Sequence, residues 1–218
     1  MSFSLRSLSI LALLGGLAAV LAGQFAPASL ARLTSSAAIP GNTFTTAACF
    51  SANTGLLNPS AQAADTGGDG DGFELNPTNA FENNGGDAQN VDGAGDRHQF
   101  YDYNFSIASG CSIAGIEIRL DWWLSETLDD NSMSVELSWD GGTSWTASKT
   151  DTTETTVEHT AVLGSGADDW GHAWTVSELT NANFRARLTS SCTDTTSSTC
   201  NARDFFLDWA PIRVYYNP

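Results

Sequence analysis

CSIAGIEIRLDWWL, residues 111–124, places Ile113, Ile116, Ile118 and Leu120 in a pattern that alternates apolar and other residues over its later half. Side chains on a strand point to opposite faces in turn, so this spacing predicts a strand with one buried face. Working outward, short runs of the same style occur at Phe100–Ile107 (FYDYNFSI), Met133–Trp139 (MSVELSW), Thr155–Val162, Ala173–Leu179, Phe184–Thr189 and Phe205–Tyr216 (FFLDWAPIRVYY). Turn residues separate them, and hardly a helix-length window follows the N-terminus. The expectation is an all-β fold, an antiparallel β-sandwich of jelly-roll type. Pro211 cannot donate to a ladder and belongs at an edge or a bulge of the last strand. Trp122 and Trp123 are neighbours on one strand, so they face opposite sides of the sheet, and one points away from the core.

The 218-residue chain holds 25 Asp+Glu against 9 Lys+Arg, a formal charge of -16. Such a field repels nucleic acid, whose binding depends on cations that neutralise phosphates, and it disfavours anionic lipid. The charge is uneven: no acid precedes Asp65. Met1–Ser7 carries Arg6 and leads into LSILALLGGLAAVLAG, residues 8–23, the charged and apolar regions of a secretory signal. Residues 1–28 read as that signal helix, cleaved after Ala22 or Ala28, or retained as an anchor that is the chain's one route to a membrane. Residues 29–64 are small, polar and almost uncharged, an extended arm with at most one short strand, Asn42–Phe50, able to add to a sheet edge of its own chain or a neighbour's. Residues 65–217 make the sandwich, entered through a Gly/Asp/Asn-rich loop at 65–96. The protein is expected outside the cell or on its surface.

Four cysteines without a C-x-x-C pair suit disulfides in an oxidising compartment. Cys192–Cys200 would close a short polar loop and Cys49–Cys111 would pin the arm to the body; three pairings are open to four cysteines. Asp65-Thr66-Gly67-Gly68-Asp69-Gly70-Asp71-Gly72-Phe73-Glu74 offers Asp65, Asp69, Asp71 and Glu74 as oxygen ligands for calcium on a flexible loop. It is not an EF-hand: with the invariant glycine at Gly72, positions 1 and 12 fall on Gly67 and Thr78. Trp122, Trp123, Trp170 and Trp174 are the candidates for a platform that stacks on sugar rings; the competing reading puts them in the core or at a subunit contact. His98, His159 and His172 lack metal spacing, and neither a G-x-S-x-G elbow nor a phosphate loop is present. No enzyme is expected.

Ser138-Trp139-Asp140-Gly141-Gly142-Thr143-Ser144-Trp145 resembles the Asp-box of sialidases and other extracellular β proteins, where it is a structural turn remote from catalysis. The resemblance implies a hairpin built by Ser138, Asp140, Gly142 and Trp145. D-G-D-G-F-E (69–74), Y-D-Y-N-F-S-I (101–107), I-E-I-R-L (116–120), the Asp-box segment, N-A-N-F-R-A-R (181–187) and R-D-F-F-L-D-W (203–209) together resemble a group of uncharacterised secreted bacterial proteins. FFLDWAPIRV is similar to the last strand of jelly-roll carbohydrate-binding modules, with Asp208 at their strand acid. The leader with Pro40-Gly41-Asn42-Thr43-Phe44-Thr45-Thr46-Ala47 is similar to the start of biofilm-fibre subunits of the TasA and camelysin kind. Two functions are expected from these features. One is a non-enzymatic surface, adhesive or filament subunit that self-associates through its arm or meets other surface proteins. The alternative is a secreted carbohydrate-binding module with a structural calcium and a polysaccharide partner, ahead of a glycoside hydrolase.

Overall fold

The computed structural model describes residues 38–39, 42–43, 49–91, 95–193, 200 and 203–218. The leader, most of the Asn42–Phe50 segment and part of the Cys192–Cys200 loop lie outside the described residues. The chain divides into two units, Met1–Thr46 and Ala47–Pro218. In the first, β1 (Ala38–Ile39) pairs antiparallel with β2 (Asn42–Thr43).

The second unit is the antiparallel sandwich that the alternation predicts. Its strands are β3 (Ala52–Asn53), β4 (Ala61–Asp65), β5 (Ala88–Asn90), β6 (Arg97–Tyr101), β7 (Ser112–Leu124), β8 (Asp130–Ser138), β9 (Lys149–Asp151), β10 (His159–Gly164), β11 (Arg185–Thr193), β12 (Phe205–Trp209) and β13 (Ile212–Asn217). One sheet has the order β4-β6-β11-β8-β9. The other is organised on β7, with β10 on one side and β12 then β13 along the opposite side; β5 lies beyond β12 and β3 beyond β13. Among the described residues no α-helix occurs and no helix is long and apolar enough to cross a membrane.

Alternation fills the core. β7 turns Ile116, Ile118, Leu120, Trp122 and Leu124 inward, and the facing sheet sends Phe100, Met133, Val135, Leu137, Ala186 and Leu188 to meet them. β12 and β13 are one run broken in the middle. The register slips between Leu207 and Trp209, and Pro211, without an N–H, stands in the gap with its carbonyl accepting from the Arg119 amide at 3.1 Å. Both disulfides form with the expected pairing, Cys49–Cys111 and Cys192–Cys200.

Several segments differ from the expectation: the 65–96 stretch is not loop throughout, since it holds a 3-10 helix at Pro77–Phe81 and β5, and the strand expected at Thr155–Val162 begins only at His159. Residues 49–64 are part of the sandwich: β3 and β4 are edge strands, pairing with β13 and β6. Phe100–Ile107 stops as a strand at Tyr101, because Asp102 (φ 60) and Asn104 (φ 56) take left-handed backbone. Ala173–Leu179 is a turn: the Glu178 carboxylate accepts from both the amide and the hydroxyl of Thr175, which closes the chain on itself.

Candidate functional site

The acidic loop assembles only part of the predicted ligand set. Carboxylate oxygens of Asp69, Asp71 and Asp96 lie within 4.8 Å of one another. Glu74 is beside them: its Oε1 accepts from the Val91 amide at 2.8 Å, while Oε2 is buried without a partner. Asp65 is not in the group. Burial alone would raise its pKa, but the Thr66 amide and the Gln99 and Arg187 side chains hold it below the usual range, and Arg187 lies 3.2 Å away. Asp96 takes its place, 2 % exposed, with Oδ1 accepting from the Asp69 amide. A hydrogen bond with Asp69, burial and the charges of Asp69 and Asp96 raise Asp71. Burial first, then neighbouring acids, raise Glu74 and Asp96.

The loop is fastened to the sheet by His98. The Phe73 amide donates to Nδ1 at 3.1 Å, so the ring proton sits on Nε2 and is donated to Gln62 Oε1 at 2.7 Å. Gly72 (φ 68) permits this approach, since a Cβ there would stand 2.7 Å from Nδ1 and from the Arg97 carbonyl.

The four tryptophans separate sharply. Trp122, Trp170 and Trp174 are 0 %, 3 % and 7 % exposed, and their indole N–H groups donate inward, to Asp151 Oδ2, the Ile116 carbonyl and the Asp169 carbonyl. A stacking platform needs a free ring face, so these three are core residues that correct the platform expectation. Trp123 alone faces outward, half-buried and directly opposite Phe206 on β12, with ring centroids 5.3 Å apart and an interplanar angle of 8°.

Around that pair, the outer face of the β7 sheet is polar and highly ordered. Asp121, next in phase on β7, accepts from Arg119 Nε (2.8 Å) and Nη2 (2.7 Å), from Thr160 Oγ1 (2.6 Å) and from Asn83 Nδ2 (2.9 Å). The Arg119 guanidinium lies 4.8 Å above the Trp209 ring, whose N–H donates to Asn58. Asp208 is the residue skipped by the β7 pairing inside β12, where the register slips between Leu207 and Trp209, and it lies beneath the Asn84-Gly85 turn. Of the aromatic members of this face, Phe206 and Trp209 went unassigned in the sequence reading; their phase opposite β7 was the available signal.

Residues 138–145 form a turn held by side-chain hydrogen bonds. Asp140 Oδ1 accepts from the Ser144 amide (2.7 Å), the Ser138 hydroxyl (3.0 Å) and the Thr143 amide (3.1 Å); Ser138 Oγ accepts from the Gly142 amide (2.8 Å). Gly141 and Gly142 take φ of 77° and 95°. Trp145 folds back so that the Arg187 guanidinium lies 4.0 Å from its ring, and Arg185 stacks on Tyr101 at the same distance.

Catalytic geometry does not emerge among the described residues. His159 pairs with Asp151 at 2.8 Å and His172 with Glu178 at 3.2 Å, and neither ring bonds a serine, threonine or cysteine. A concavity of about 480 Å³ is lined by Ser109, Cys111, Ser112 and Trp174–Ser177, with no ionisable side chain.

The fold and its outer face define a disulfide-braced antiparallel sandwich with an aromatic and carboxylate-rich sheet surface. No family model matches the sequence, and no curated protein matches it. Solved structures that overlap the fold include a CBM32 of AlyQ in complex with 4,5-unsaturated mannuronic acid, at 12% identity, covering 72% of this chain and 96% of that one, with a TM-score of 0.37. A truncated AlyQ with CBM32 and alginate lyase domains overlaps at 14% identity, covering 76% of this chain and 34% of that one, with a TM-score of 0.39. The CBM22-1–GH10 modules of a Clostridium thermocellum endo-1,4-beta-D-xylanase complexed with xylohexaose overlap at 11% identity, covering 75% of this chain and 26% of that one, with a TM-score of 0.34. These overlaps are too distant to carry ligands or residues to this chain.

Proposed function

We propose that the sandwich is a secreted, non-catalytic carbohydrate-binding module whose ligand lies across the outer face of β7. The Trp123–Phe206 pair carries this reading: two large rings held half-exposed by cross-strand stacking, beside hydrogen-bonding groups already fixed in place by Asp121. A pyranose has apolar C–H faces and an equatorial rim of hydroxyls. Ring contact would bury the former, while Asn83, Thr160, Arg119 and Glu158 stand where the rim needs donors and acceptors. The prior ordering of these groups lowers the entropy lost on binding. Two disulfides suit the oxidising compartment in which extracellular glycans are met.

The filament reading depends on an arm free to enter another subunit's sheet. Most of the segment expected to do this, Asn42–Phe50, lies outside the described residues, whereas the Trp123–Phe206 pair is a feature of the described fold, so the glycan reading is preferred.

A structural calcium belongs to the same proposal. Asp69, Asp71 and Asp96 would supply carboxylates, and the orphaned Oε2 of Glu74 fits a group waiting for a cation. Its role would be to hold the loop to the sheet.

The test is affinity electrophoresis through a panel of soluble polysaccharides, for the wild type, Trp123→Ala and Phe206→Ala. Truncating a central ring in a binding face costs about 2 kcal/mol, near thirtyfold in Kd. Retardation that both variants retain in full would refute the platform.

A further inference from the structure

The charge on the Trp123 face selects among saccharides. Both guanidiniums of the sheet's outer side are engaged: two nitrogens of Arg119 are on Asp121 and its plane covers Trp209, and Arg213 lies opposite Glu117 at 3.5 Å. Asp121 is therefore compensated. Asp208 has no cationic partner among the described residues: at 1 % exposure its Oδ1 has no hydrogen-bond partner, and the carboxylate is held by the backbone amides of the Asn84-Gly85 turn, with Gly85 at 3.4 Å from Oδ2. A buried carboxylate left in that state is costly unless a positive charge comes near. Glu158 stands at the surface one residue before β10, on the far side of β7, and no Lys or Arg pairs with it among the described residues. The two acids flank the strand that carries Trp123.

We infer that this face takes amine-bearing sugars, such as chains of unacetylated glucosamine, in preference to neutral chains, and that it rejects uronates. The inference rests on the carbohydrate reading above and goes further by naming the ligand's charge. Glu158 is the group an ammonium meets directly, as a charge-assisted hydrogen bond at the rim. Asp208, sealed beneath the Asn84-Gly85 turn, acts through its field. Two observations support the field's strength: burial, then the charges of Asp208 and Asp121, raise the Glu158 pKa against the opposing charge of Arg119, and burial with the charges of Asp121 and Asp87 raises that of Asp208 against the Asn84 and Gly85 amides. A uronate would add a third uncompensated carboxylate to this surface, whereas an ammonium relieves the two already there.

A chain of charge -16 attracts any polycation, so the experiment must separate the local site from the global field. Affinity electrophoresis and calorimetry on the intact protein, at about 0.15 M salt where charges beyond roughly 8 Å are screened, would compare chitosan, hydroxyethylcellulose and polygalacturonate. Binding is expected in that descending order, and Trp123→Ala should weaken all of it about thirtyfold. Glu158→Gln should weaken chitosan about fivefold, more than it weakens the neutral polymer; Asp208→Asn, the same size and shape, should act in the same direction. Asp130→Asn, an exposed acid at the start of β8 in the other sheet, removes the same charge and should change nothing. Equal losses in Glu158→Gln and Asp130→Asn, or polygalacturonate bound as tightly as chitosan, would overturn the inference. Neutral-polymer binding that depends on Trp123 without an amine preference removes this inference alone. Absence of any Trp123-dependent binding removes the carbohydrate reading with it.

Discussion

Acidification should weaken this fold through one side chain. His98 is 2 % exposed, accepts the Phe73 amide at Nδ1 and donates from Nε2 to Gln62, so both nitrogens are used in the neutral form. Protonation would set a second N–H against the Phe73 donor in a site without solvent. Burial accordingly lowers its pKa from 6.5 to about 4. Between those values the unfolded chain binds the proton and the folded chain does not, so unfolding free energy falls as pH drops from about 6.5 to about 4 and levels off below. At 1.36 kcal/mol per pKa unit the loss is about 3 kcal/mol, or roughly 10 °C in Tm for a domain of this size. Asp71, Glu74 and Asp96 have raised pKa values and work in the opposite sense, regaining stability as they protonate. The clean measurement is therefore a difference: Tm against pH for wild type and for His98→Gln, which cannot charge. The variant starts lower at pH 7.5, and the gap should close by about 3 kcal/mol on the way to pH 4. Parallel curves across that range, or an imidazole that titrates near 6.5 by NMR, would refute the argument.

Other outcomes follow from the same geometry. Millimolar calcium should raise Tm, by about 2.7 kcal/mol of stability at a hundredfold excess over Kd, and Asp96→Asn should abolish the rise while Asp65→Asn leaves it; indifference to chelator in the wild type would remove the cation. Trp122→Ala should cost about 3–5 kcal/mol in chemical denaturation, as a core truncation, while its neighbour Trp123→Ala costs about 1 kcal/mol or less. Gly164→Ala should cost more than about 3 kcal/mol, because φ is +82° and the new Cβ would stand 2.2 Å from the Ile116 carbonyl. Opening Cys49–Cys111, which spans 62 residues, should cost about 4 kcal/mol, against about 2.5 kcal/mol for the 8-residue span of Cys192–Cys200, compared by calorimetry of the two double-alanine variants.

The outcomes for the tryptophans show what one sequence can and cannot reveal. Ile116, Ile118 and Leu120 set a phase on β7 that puts Trp122 inside and Trp123 outside, so that division was legible in residues 116–124. Trp170 and Trp174 lie in turns, where no period exists, and only the acceptors found by their indole N–H groups reveal them as core. Distance along the chain hid Asp96 in the same way. Asp69 and Asp71 sit in one Gly-Asp run, but the third carboxylate arrives from 25 residues beyond Asp71 because β6 passes beneath the loop. β3 and β4 escaped notice for a different reason. Edge strands bury less side chain than central ones, so AQAAD at 61–65 needs no apolar alternation, and its place is set by the β6 backbone it bonds.

The same contrast bears on how a binding surface arises on this fold. Alternation obliges β7 to present Glu117, Arg119, Asp121 and Trp123 on its outer side whatever their use. A merely soluble face would be served by charged residues at all four positions. Instead Trp123 is matched across the ladder by Phe206, Asp121 is given four donors, and the Arg119 guanidinium is placed over Trp209. Holding a carboxylate such as Asp208 buried beside that group without a counter-ion costs stability. On the proposed reading, the remaining charge and the exposed rings of this surface are what a bound saccharide would complete.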